Sequence, residues 1–164
     1  MTRRIAAVLL AGLPWTAGCQ LAGLSSSSPR PAKQVDEVFV RLSPPTALNW
    51  DDRPGPDGLQ ARVNFFRHDD DLSVPVDGTV EFELFEGRTS EKSVAEKQPF
   101  YTWRFENGEL ERHLSKTIVG WGYEMRLPWD RPPKVSSITL VTRHRSSEGK
   151  VRTSKPLFLA LTPK

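Results

Sequence analysis

The side chains best suited to chemistry in this chain are few and poorly spaced for it. His68 stands directly before Asp69-Asp70-Asp71, the densest group of potential metal ligands, and carboxylates in one turn supply the oxygens that calcium takes several of at once. Consecutive residues of an extended segment point to opposite sides, and the glycine and terminal glutamate of a calcium loop are missing at their usual spacing. The group therefore reads as an acidic turn between strands. His113 and His144 form no HxxxH or HExxH pair, and zinc without cysteines would have to draw its ligands from distant segments, so no metal site is expected. Glu109 and His113 would share one face of a helical turn, which an exposed ion pair explains as well. There is no GxSxG elbow, and Gly87-Arg88-Thr89-Ser90-Glu91-Lys92 has neither the length nor the second glycine of a phosphate-binding loop. No catalytic residue is singled out and an enzyme is disfavoured.

Binding by aromatic stacking is better supported. Trp50, Trp121 and Trp129 stand in NWDD, GWGY and PWDRPP, beside predicted loops, and are the candidate ligand-binding residues. Tryptophan next to Gly or Pro often covers the open end of a sandwich, and that is the stronger reading of all three. An exposed patch shared by all three would favour the ligand reading, because contiguous apolar surface marks contact sites.

The elements that must carry these residues are strands. Val35 to Leu42, Leu59 to Phe66, Thr79 to Phe85, Phe100 to Phe105, Tyr123 to Leu127, Ser137 to His144, Val151 and Leu157 to Leu161 follow or approach a period of two. In the clearest of them Val80, Phe82 and Leu84 face inward and Glu81 and Glu83 outward. Tyr101, Trp103 and Phe105 share a face and are expected at the centre of a core. Prolines and Asp/Gly pairs in SPPTALNWDDRPGPDG predict irregular chain over much of that stretch. Gly120-Trp121-Gly122 is expected to break the chain before the next strand. A short helical turn is predicted within Glu86–Pro99 and one or two turns over Glu109–Lys116. Seven or eight strands with no place for crossover helices predict an all-β, antiparallel β-sandwich over residues 35–164.

The first nineteen residues are of another kind. Arg3 and Arg4 precede an apolar run from Ile5 to Leu13, and Thr16-Ala17-Gly18 leads into Cys19, the single cysteine of the 164 residues. A basic start, a short apolar stretch and small residues before a cut site are the marks of a secretory signal, and the run is too short for a membrane span. Loss of Arg3 and Arg4 lowers the formal charge from +3 to +1, and the remaining charges are interspersed, so no nucleic-acid partner is expected. Residues 20–34, with four consecutive serines, carry no apolar period and are expected to be a flexible tether. Fully extended, those fifteen residues would reach roughly 50 Å.

Thr16-Ala17-Gly18-Cys19 resembles the lipobox of bacterial lipoproteins, with Thr16 standing where the family prefers Leu. The resemblance implies residues 1–18 as signal peptide, 19–34 as lipidated cysteine and tether, a covalent lipid on Cys19 and no other cofactor. It also implies attachment to the cell envelope, and Gln20 after the cysteine is compatible with the periplasmic face of the outer membrane. The last hairpin, ITLVTRHRSSEGKVRTSKPLFLAL, resembles the final strand pair of fibronectin type III and related immunoglobulin-like domains: an alternating strand, a Gly-bearing turn, and a strand interrupted by Ser-x-Pro. A transthyretin-like sandwich fits the same pattern, and the lipoprotein of type VI secretion systems is a tethered sandwich of that kind. The expected function is a membrane-anchored interaction or structural module with an envelope protein as partner. The alternative is a carbohydrate- or ligand-binding sandwich that uses the loop tryptophans.

Overall fold

The computed structural model describes residues 29–50 and 56–161, with residues 44–47 as backbone only. Nine strands and two short helices follow in the order β1 (Glu37–Leu48), β2 (Gly58–Phe66), β3 (Thr79–Glu86), α1 (Glu91–Val94), β4 (Tyr101–Glu106), α2 (Asn107–Arg112), β5 (Leu114–Thr117), β6 (Gly120–Pro128), β7 (Ser137–Arg145), β8 (Val151–Thr153) and β9 (Leu157–Ala160). They form an antiparallel sandwich. One sheet has the order β1-β2-β6-β5; the other runs β4-β3-β7, with β8 and β9 both paired to β7 along one edge. Lettered along the chain, with β8 and β9 as one interrupted strand, this is A-B-E-D against C′-C-F-G. Of the two arrangements left open by the sequence, it is the immunoglobulin-type strand order.

The rows of alternating apolar residues account for the core. Val38 and Val40 of β1, Leu59, Ala61, Val63 and Phe65 of β2, and Tyr123, Met125 and Leu127 of β6 face Val80, Phe82 and Leu84 of β3 and Ile138 and Leu140 of β7. Removing such rows from water is the dominant favourable term. The interruption between β8 and β9 is at the predicted Ser-x-Pro: Ser154 exchanges hydrogen bonds with the backbone of Thr142, N to O at 2.8 Å and Thr142 N to Oγ at 3.0 Å. The β7 ladder is thereby satisfied where Pro156 cannot donate.

Four expectations about the strands are corrected. Strand β1 continues through Ser43–Leu48 despite the prolines, with a register shift between Leu42 and Ala47; it lies on the sheet edge, where proline is tolerated. Gly120 begins β6, and the glycines do not interrupt it. Leu114 does not continue a helix but opens β5, a strand that pairs with Gly120–Tyr123. Trp103 is half-buried on β4, at the edge of its sheet, while Phe82, Phe65 and Tyr123 hold the centre.

Burial also reaches beyond the inner faces. Helix α1 covers the outer face of the second sheet, so Phe85, Val94 and Val141 form a small apolar cluster of their own. On the outer face of the first sheet Arg62 is only 3% exposed. Its guanidinium crosses above Gly122, where any side chain would collide with it and with the Asn64 amide. It donates to Glu124 Oε1 at 2.6 Å, Ser115 Oγ at 3.1 Å and Thr117 Oγ1 at 3.4 Å, tying β2 to β6 and β5.

The start of the described chain is docked. Ala32 pairs in parallel with Val76: its amide donates to Pro75 O at 2.8 Å and its carbonyl accepts from Asp77 N at 3.3 Å. Val76 is left with its own amide and carbonyl facing the core. The hydroxyl of Tyr123 takes both, accepting from the amide at 2.8 Å and donating to the carbonyl at 3.4 Å. Burial pushes the Tyr123 phenol up to about 12, so it stays a donor throughout the physiological range. The folded unit therefore begins before Val35, and the expected tether is docked from Ala32 onward.

Replacing Tyr123 by Phe orphans two buried backbone groups, which costs about 1–3 kcal/mol. Urea denaturation of Tyr123→Phe is expected to show that loss, with faster amide exchange at Ala32 and Asp77 than in the parent.

Candidate functional site

The sandwich has two chemically different ends. At the tether end the segment from Pro29 to Asp36 runs beside the loop 67–77 and the β7–β8 turn. Gln34 donates to Glu148 (2.7 Å) and accepts from Lys150 Nζ (2.6 Å), and Asp36 accepts from the His68 amide at 3.0 Å. An open cleft of about 1000 Å³ lies here, bounded by Pro29, Asp36, Arg67, Leu72, Trp121 and Glu148, among others. The acidic triplet is on its rim. Asp69 pairs with Arg67, and Asp70 lies 3.5 Å from Arg67 Nε, so two of the three carboxylates turn toward one cation. Among the described residues no group of three or more His, Cys, Asp and Glu side chains is arranged to hold a metal.

Two of the three histidines, His144 and His113, pack within the fold. His144 is buried beside the ring of Phe65, centroids 5.2 Å apart, and its Nε2 donates to the backbone oxygen of Asp77 at 2.7 Å. Burial lowers its pKa; the bond to Asp77 and the Asp77 charge oppose that only in part. The His113 ring packs edge-on against Phe105 at 5.9 Å, and Glu109 accepts from the Glu106 amide at 3.4 Å at the start of α2. Glu109 thus caps its own helix.

The three loop tryptophans do not share a patch. Trp129 is only 5% exposed; its indole N–H donates to Pro56 O at 2.7 Å and its amide to Asp57 O at 2.9 Å. Trp50 lies at the same end, its ring over Gly58, its amide donating to Asp57 Oδ2 at 2.5 Å and the Arg126 guanidinium 5.8 Å from the ring centre. Trp121 stands at the tether end with Lys116 Nζ 5.7 Å from its ring centre. Strand β6 separates it from Trp129 by eight residues, roughly 26 Å at strand rise. Cys19 lies outside the described residues.

At the end away from the tether the structure gathers residues that sequence reasoning did not single out for binding. Tyr101 and Trp103 stack at 5.4 Å with 14° between planes, and Phe100 meets Tyr101 edge-on at 5.3 Å. The Trp103 indole donates to Pro128 O at 2.6 Å, and the Tyr101 hydroxyl accepts from the amides of Asp130 (2.9 Å) and Arg131 (3.2 Å). The Arg131 guanidinium covers the Phe100 ring at 5.3 Å. The alternation of Tyr101, Trp103 and Phe105 was visible in the sequence as a core row; its place on an edge strand depends on which strand β3 pairs with, which no local signal carries. Trp, Tyr and Arg on a rigid ledge are the residue types that anchor protein interfaces.

No protein-family model matches the chain, and neither a curated protein nor a solved structure matches it.

His144 ties stability to pH. Its folded-state pKa is below the ordinary value, so its contribution is complete above about pH 6.5 and is lost as the pH falls through the lowered value. Thermal melts from pH 7.5 to 4.5 are expected to show a fall in midpoint that is shallower in His144→Gln; parallel curves for the two proteins would contradict this role.

Proposed function

We propose that this protein is a lipid-anchored module of the bacterial cell envelope, attached through Cys19 and engaged in protein interaction. Its ledge of Tyr101, Trp103 and Arg131, with the exposed Trp50 at the same end, meets another envelope protein. The observation that carries the reading is the polarity of the sandwich: the described chain begins with Pro29 at one end, and the aromatic and arginine ledge is at the other. An anchored domain with that polarity holds its contact surface away from the lipid. Among the described residues no helix is long and apolar enough to cross a membrane, and a single acyl chain holds only reversibly, so attachment needs two or more chains. The lipobox resemblance supplies a diacylglyceryl group, usually with a third chain.

The sugar-platform alternative has less support. It needs the three loop tryptophans on one platform, whereas Trp129 is 5% exposed and Trp121 stands at the opposite end of β6 from Trp129.

Three measurements test the proposal. The mature N-terminus is expected to be an acylated Cys19 by mass spectrometry, and Cys19→Ser is expected to move the protein from the membrane to the soluble fraction. A photo-crosslinker at Arg131 is expected to trap an envelope protein that the same probe at Arg152, near the tether end, does not. An unmodified Cys19 would end the anchor reading, and identical traces from the two probes would end the interaction reading.

A further inference from the structure

Three large aliphatic side chains stand in water at one corner of the tether end. Ile118 is 97% exposed, Leu72 53% and Val119 45%. The backbone holds them together: Ser73 donates to the Val119 carbonyl through its amide (2.8 Å) and its hydroxyl (2.7 Å), and its own carbonyl accepts from the Trp121 amide at 2.8 Å. Asn64, itself buried, donates to the Ser73 hydroxyl at 3.0 Å. Gly120, at φ +103°, lies so close to the Ser73 backbone that no side chain would fit. The β5–β6 hairpin tip is therefore a stiff protrusion, with Leu72 beside it and the Lys116–Trp121 pair one step behind. The fold spends a buried asparagine, a buried serine and a left-handed glycine on keeping two aliphatic residues in water.

We propose that this corner is a second, weaker membrane contact, in which Ile118, Val119 and Leu72 enter the outer layer of the bilayer that carries the Cys19 anchor. The inference rests on the lipid-anchor reading. The occupant follows from the chain's length and where it ends. Pro29 bounds the same cleft as Leu72 and Trp121, and only nine residues lie between it and Cys19. The ten Cα–Cα steps from Cys19 to Pro29 reach about 33 Å at full stretch. The corner beside Pro29 is thus the part of the domain kept nearest the lipid. Its chemistry suits the boundary: aliphatic residues at the tip, then an indole and a lysine at the level where amphipathic groups settle. The adjacent rim is mixed in charge, with Arg30, Lys33 and Arg67 among its five carboxylates, so the contact needs no excess of anionic headgroups and a zwitterionic surface suffices.

The test uses the full lipidated protein in vesicles of phosphatidylethanolamine and phosphatidylcholine. An environment-sensitive fluorophore is placed at Ile118→Cys, with Phe158→Cys, an exposed position at the opposite end, as reference. The label at position 118 is expected to emit at shorter wavelength and to be quenched by lipid-borne nitroxide several-fold more than the label at 158. Adding Val119→Asp to Ile118→Cys is expected to cancel most of that difference while the protein still floats with the vesicles. A water-like label at 118 in protein that floats overturns the contact and leaves the anchor standing. A label that is water-like in vesicles but shifted in native membranes overturns it in favour of a protein partner at the tip. Protein that carries no lipid on Cys19 and does not float overturns both readings.

Discussion

The hydroxyl of Tyr123 closes one end of the sandwich by taking the amide and carbonyl of Val76 inside the core. The neighbouring peptide groups, Pro75 O and Asp77 N, are thereby turned outward and pair with Ala32. Asp77 in turn holds His144 through its carbonyl, and Ser147 through its carboxylate at 2.7 Å. A single phenol on β6 thus determines where the chain enters the domain, how the β7–β8 turn is held and how the loop 73–77 lies. Each bond is ordinary in strength; the constraint is strong because leaving buried backbone groups unpaired costs more than pairing them gains.

The same loop supports the β5–β6 hairpin from beneath, and the Arg62 network supports it from the outer face. Ser73 joins Val119 and Trp121, Asn64 joins Ser73, and Arg62 reaches Glu124, Ser115 and Thr117 across Gly122. Strand β5 has four residues and lies on a sheet edge, and these polar ties compensate for the small apolar surface it buries. Its hairpin tip stays rigid and exposed, which gives the proposed lipid contact a fixed shape.

Two ends of different chemistry follow from this arrangement. The tether end has a cleft with a mixed-charge rim and an aliphatic tip; the far end has stacked aromatics topped by arginine. On the proposed reading the first faces lipid and the second a protein. Of the residues that drew attention in the sequence, His144 fills the core, Glu109 caps α2, and Asp69 and Asp70 pair with Arg67 in the turn.

What the sequence determined by itself was whatever depends on local period and local chemistry. Val80-x-Phe82-x-Leu84 and Leu59-x-Ala61-x-Val63-x-Phe65 specify strands and their buried faces, because a strand alternates sides at every residue and one side must leave water. Ser-x-Pro specifies the break between β8 and β9, and Glu91–Val94 lies within the predicted helical turn. The tertiary structure decided what depends on partners distant in the chain. Gly122 leaves room for a buried Arg62, Trp129 is covered while Trp121 is carried to the opposite end, Trp103 comes to an edge, and Ala32 is bound by Val76. The physical reason is that edge, end and cover are properties of a strand's neighbours, and strand pairing is set by the burial of all the rows together.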